Sequence, residues 1–124
     1  MEVKTQWMKC GKEPESKWCN LLTVNLEHDH FNDLEGIYII WHGRKEAVKA
    51  ATVRVGQGII RDRLTEHKSN EEILKYKPYE LYVTWAKIDK VYLDGVERYL
   101  AEVLKPIVGS RFPDVQPIEI NWPW

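Results

Sequence analysis

The stretch EGIYIIWHG, residues 35–43, admits few conformations. Its β-branched and aromatic side chains favour extended backbone, and glycines bound the run at either end. It reads as a buried strand, and a buried strand requires partners in a sheet. TVRV, residues 52–55, supplies one such partner, with Thr52 and Arg54 alternating against Val53 and Val55. The polar, basic RKEAVKAA between them makes a hairpin-like connection. YELYVTWAKI, from Tyr79 to Ile88, alternates as a third strand. The first 33 residues are otherwise irregular, with one expected strand in NLLTVNL, residues 20–26.

Helical signals fall between and after these strands. GQG, residues 56–58, is expected to break the second strand, and IIRDRLTEHK then starts a helix with Ile60 and Leu64 facing inward. SNEEILKY reads as a further helical turn entered through Ser69 or Asn70 and ended before Pro78. A longer helix runs from somewhere in residues 90–94 to about Lys105, with Val96, Leu100, Val103 and Leu104 at helical spacing. Pro106 ends it. The Pro-punctuated tail, residues 109–124, carries aromatics expected to pack back on the body. The expected fold class is α/β, a small central sheet of about three strands flanked by helices, with extra N-terminal and C-terminal segments.

A chain of 124 residues is most simply one domain. Apolar residues make up 44% and charged residues 30%, an ordinary globular balance. No apolar run approaches the roughly 20 residues that span a bilayer, and the N-terminus has no apolar block of the kind a secretory signal needs. These features give the expectation of no membrane segment and a cytoplasmic setting. A net charge of −1 excludes a crude polycation but not a local basic surface. Lys45, Lys49, Arg54, Arg61, Arg63 and Lys68 fall close together in the chain. Cys10, Cys19, His28 and His30 offer four N/S ligands, but their spacing matches no common zinc finger, so reduced structural thiols are the expectation.

One carboxylate stands out. Glu97 has Leu93, Leu100, Ala101 and Leu104 as its helical neighbours, an apolar setting that is unfavourable for a charge without a partner. A metal ion or a catalytic cation would be such a partner. A capping box is the alternative, with Asp94 as N-cap and Glu97 reaching back to its backbone N–H. Tyr38 as a core tyrosine, Arg63 paired with a nearby acid, and His67 at a helix end each have structural readings too.

Taken in order, four elements resemble the GIY-YIG nuclease domain. They are Gly36-Ile37-Tyr38, Arg54-Val55-Gly56-Gln57, Arg63-Leu64-x-x-His67, and Glu97 ahead of Pro106. The matching core covers about residues 34–108, with an N-terminal extension, 1–33, and a tail, 109–124. Arg54 stands where the family has its second signature tyrosine, and Gly109 where it commonly has an asparagine. The resemblance implies metal-dependent hydrolysis of a nucleic-acid phosphodiester, with DNA the first expectation. By position, Tyr38 helps activate the attacking water, Arg63 binds the non-bridging oxygens, and His67 positions or protonates around the same phosphate. Glu97 holds one Mg²⁺ or Mn²⁺. Arg54, Gly56, Gln57 and Gly58 line the phosphate path, and Asn121 folds back to supply the missing amide. Non-catalytic nucleic-acid-binding and protein-interaction modules on the same scaffold remain the alternatives, and the arrangement in space decides which residues meet.

Overall fold

The computed structural model describes residues 2–11, 16–44, 49–109 and 111–124. Its strands are β1 (Glu2–Val3), β2 (Cys19–Asn20), β3 (Glu35–His42), β4 (Ala51–Ile59), β5 (Leu81–Lys87) and β6 (Glu119–Ile120). Its helices are α1 (Ile60–His67), α2 (Glu71–Leu74) and α3 (Lys90–Leu104). The main sheet has four strands in the order β2-β5-β3-β4, every neighbouring pair antiparallel. β1 and β6 form a separate parallel ribbon joining the two ends of the chain.

The run that anchors the sequence reading is the interior strand β3, hydrogen-bonded to β4 on one side and β5 on the other. Its side chains alternate between two cores. Tyr38 and Ile40 pack with Val83, Trp85, Ile60, Leu64 and Ile73 on the face covered by α1, α2 and residues 21–34. Ile37 and Ile39 pack with Val55, Ala86, Leu93, Val96 and Leu100 on the face covered by α3, Trp7 and Ile120. Apolar residues on both sides of one strand are satisfied because the sheet is the middle of three layers.

Several expectations change. The sheet gains β2 as a fourth strand, but that strand stops at Asn20 rather than running through NLLTVNL. The Asn20 side chain accepts from the Leu22 N–H, and its carbonyl accepts from Val24 N–H at 2.9 Å, so the chain turns there. GQG does not break the second strand: β4 continues through it to Ile59 and hands directly into α1. α2 starts at its Asn70 cap, one of the two expected entries. α3 begins at Lys90, so Asp94 lies inside the helix and is not its N-cap. The capping-box reading of Glu97 therefore fails. Residues 45–48 of the expected hairpin connection, including Lys45, lie outside the described residues.

Cys10 and Cys19 are bonded to each other, which corrects the expectation of reduced thiols. The physical reason is a backbone bridge: Cys10 and Lys17 exchange N–H···O bonds of 2.8 and 2.9 Å, folding this segment so that the two Cα atoms lie 5.1 Å apart. With both sulfurs consumed, the four-ligand zinc alternative is removed as well. Two members of the basic cluster also have structural work. Arg61 donates to the Leu26 and His28 carbonyls and to Asn32, and the Lys68 ammonium donates to the Val24 carbonyl. Both hold the N-terminal segment against α1.

No helix among the described residues is long and apolar enough to cross a membrane.

Candidate active site

β4 is an edge strand of the main sheet, covered at Thr52 and Val53 by the backbone N–H groups of Ile107 and Val108, and the candidate residues gather along its Gly56–Ile59 end. Tyr38 on β3 lies opposite Gly56 on β4. Its phenol crosses the neighbouring strand at a residue without a side chain: a Cβ on residue 56 would overlap the Tyr38 hydroxyl and ring. Gly58, at φ +134°, does the same for Arg63, whose Nε would lie 3.0 Å from a Cβ there. The two glycines thus let a strand side chain and a helix side chain approach the edge backbone.

His67, the last residue of α1, is buried, and its Nε2 lies 2.6 Å from the Tyr38 hydroxyl. The positive charge of Arg54 acts on the same phenol and favours its ionised form. The Tyr38 hydroxyl and His67 Nε2 share their hydrogen bond in a direction set by the imidazole tautomer. His67 Nδ1 is buried without a hydrogen-bond partner among the described residues, as is Arg54 Nε.

Both ionisable groups of this pair are held neutral. Burial pushes the Tyr38 phenol up to about 12, against the opposing pull of Arg54 and Arg63. Burial also drives His67 down to about 4, reinforced by the positive charges of Arg54 and Arg63 and opposed by Glu66.

Glu97 approaches from the opposite layer. It sits on α3 beside Gln57, which faces that helix from β4. The Gln57 amide nitrogen donates to Glu97 Oε1 at 2.8 Å and to Asp94 Oδ1 at 2.7 Å. Two carboxylates one helical turn apart thus point at a single nitrogen. Burial raises the Glu97 pKa, and the neighbouring Asp94 charge adds to that, while Gln57, Arg54 and Arg63 pull it down. Arg54 and Arg63 lie near enough for their charges to act on Tyr38, His67 and Glu97 alike. Arg63 is half-exposed and pairs with Glu66 at 3.2 Å, a surface ion pair of little net strength.

Of the sequence-selected residues, Tyr38, Arg54, Gly56, Gln57, Gly58, Arg63, His67 and Glu97 come together. Asn121 does not join them. Its amide accepts from Thr5 N–H at 2.8 Å and donates to the Thr5 carbonyl at 3.0 Å, tying the tail to the N-terminal segment. Its side chain is committed to joining the chain ends. Gly109 instead lies against the Arg54 guanidinium, with Nη1 only 2.7 Å from the place a Cβ would take. Arg54 and Gly109 are therefore spatial neighbours. Asp94 is the residue that sequence reasoning placed wrongly, as a cap. Its position three before Glu97 on an α-helix was the available signal that the two carboxylates share a face.

Among the described residues, no group of three or more His, Cys, Asp or Glu side chains is placed to hold a metal ion. The hard carboxylate oxygens of Glu97 and Asp94 suit Mg²⁺ or Mn²⁺, which retain several waters and take few protein ligands. No protein-family model, curated protein or solved structure matches this chain.

Proposed function

We propose that this protein is a metal-dependent endonuclease of the GIY-YIG type, acting on nucleic-acid phosphodiester bonds, DNA first. The observation that carries the reading is the meeting of a phenol–imidazole pair, two arginines and a buried carboxylate at one sheet edge. Each has a role in phosphodiester hydrolysis. Tyr38 oxygen takes the proton of an attacking water as its own proton passes to His67 Nε2, so neither group carries a full charge beforehand. A neutral His67 can accept that proton, which an imidazolium could not. Arg63 exchanges Glu66 for the non-bridging oxygens as negative charge develops there. Arg54, whose charge favours ionisation of Tyr38, offers its guanidinium toward the same charge.

Glu97, with Asp94 beside it, would hold the divalent ion in exchange for the Gln57 amide. When bound, that ion supplies charge neutralisation at the phosphate and the leaving oxygen. The same Gln57 clamp favours a second reading, a nucleic-acid-binding module without turnover, in which the carboxylates stay capped.

The deciding experiment is nicking of supercoiled DNA in Mg²⁺ or Mn²⁺, with a chelator control and the Glu97→Gln variant. Cleavage that needs metal and is lost in the variant supports the nuclease. Salt-sensitive binding with no product at any metal concentration supports the binding module.

A further inference from the structure

At the far end of the same sheet, beyond the C-terminus of α3, aromatic rings form a row across the strands. Tyr82 on β5 and Trp41 on β3 are cross-strand partners and stack at 5.7 Å between ring centroids. Trp18, just before β2, meets Trp41 edge-on at 5.5 Å. Trp124 closes over both, 5.1 Å from Trp41 and 6.4 Å from Trp18, yet remains 57% exposed. Between Trp41, Trp124 and residues 50–52 lies an open cleft of ≈ 290 Å³. That is roughly ten times the ~30 Å³ share of one water, so it admits a planar heterocycle and not only solvent.

One side of this patch is cationic. Lys9 places its ammonium 4.5 Å from the Trp18 ring centroid, Lys17 shares a cleft with Trp18 and Tyr82, and the exposed Arg44 shares another with Tyr82. The acid beside it, Glu80, accepts from the Tyr82 hydroxyl at 3.0 Å. Aromatic faces flanked by lysines suit stacked bases joined by phosphates. Tryptophan and tyrosine also favour protein interfaces, but the lysines, which are depleted there, favour the nucleic acid. A duplex offers the cations its phosphates but keeps its base faces buried in its own stack.

We propose that this aromatic row is a platform for single-stranded nucleic acid. It rests on the nuclease reading for its consequence, which is substrate class. Trp41 lies three residues along β3 from Tyr38, roughly 10 Å at the rise of an extended strand, and on the opposite face of the sheet. Residues 107 and 108 cover β4 at Thr52 and Val53, so a strand connecting the two passes outside that segment, and the substrate is one with an unpaired arm next to the cleaved bond.

The test is anisotropy of labelled oligo-dT and oligo-rU of ~12 nucleotides, against a duplex of equal length, in chelator so that cleavage plays no part. Single strands are expected to bind more tightly than duplex and to quench tryptophan emission saturably in the unaltered protein. Trp124→Ala and Trp18→Ala, each checked for native circular dichroism, are expected to weaken binding about tenfold. Equal affinity for duplex, absent quenching, or unchanged binding in both variants overturns the platform. Tryptophan-dependent binding without metal-dependent cleavage would leave the platform standing and remove the nuclease. Duplex nicking without single-strand binding would do the reverse.

Discussion

Gly56→Ala is a small change with a large expected effect. In extended backbone with no special φ, replacing glycine by alanine normally stabilises by about 0.4–1 kcal/mol, because the unfolded chain loses freedom. Residue 56 reverses that sign. The added methyl meets the Tyr38 phenol, which is 1% exposed, in contact with His67, and has no empty space to enter. Overpacking of this kind costs about 1–3 kcal/mol, and displacing the phenol from His67 forfeits a further 0.5–1.5 kcal/mol or so. Set against the backbone gain, the net loss is about 0.5–4 kcal/mol. For a chain of this length that lowers Tm by roughly 2–16 °C. Urea and thermal denaturation followed by circular dichroism measure it directly. The attribution to Tyr38 is checked with Tyr38→Leu and the double variant. Shortening Tyr38 makes room for the methyl, so the double variant loses less than the sum of the singles, by about 0.5–2 kcal/mol. A Gly56→Ala protein more stable than the original, or strict additivity, refutes the phenol crossing at that strand.

Three further outcomes follow from charge and covalent structure. His67 is neutral with a folded pKa of about 4, below its ordinary 6.5, so the unfolded chain binds its proton first. Stability is therefore complete above pH 6.5 and falls toward pH 4, at up to about 1.4 kcal/mol per pH unit, and His67→Phe flattens that slope in pH-dependent urea titrations. Parallel slopes would contradict it. Glu97 has a raised pKa, so its carboxyl favours folding at low pH and opposes it once ionised. Glu97→Gln should raise Tm at pH 7 by roughly 2–4 °C, with the gain vanishing in acid, while a lower Tm at pH 7 would show that the carboxylate is structural. Reducing Cys10–Cys19, nine residues apart, frees a short loop worth about 2.5 kcal/mol, a fall in Tm of about 10 °C; an unchanged Tm in reductant would refute it.

What the sequence disclosed was governed by how local each cause is. β3 and β5 were legible because their apolar, branched residues satisfy buried strands whichever neighbours they find. α1 and α3 were legible from spacing alone. GQG was misread because glycines usually punctuate strands, whereas here they remain in an edge strand so that Tyr38 and Arg63 can approach it. That reason lies in two other elements and leaves no local trace. The disulfide was missed for the same reason: the Cys10–Lys17 bridge that brings the sulfurs together is a tertiary fact. A disulfide persists in oxidising surroundings, so the cysteines lend no support to the reducing, cytoplasmic setting expected from the sequence.

At the site, the members were legible but their partners were not. Glu97 announced itself as a carboxylate in an apolar stripe, yet its companions Gln57 and Asp94 depended on how β4 and α3 cross. Asn121 was assigned to the site by the need for an amide, and the chain spent that amide on Thr5 instead. Arg54 and Gly109, unremarkable as separate departures from a family pattern, become one feature once the guanidinium is seen to lie against the glycine.

The central claim is that Glu97, Tyr38 and Arg63 form a working phosphodiesterase site. It is tested most directly by single-turnover cleavage of a labelled DNA carrying an unpaired arm, with protein in excess and Mg²⁺ titrated in. The expected result is metal-dependent product that Glu97→Gln and Arg63→Ala each reduce by roughly 10²–10³-fold while both variants stay folded. Product at the same rate in Glu97→Gln, or none from the unaltered protein at any Mg²⁺ or Mn²⁺ concentration, would contradict it.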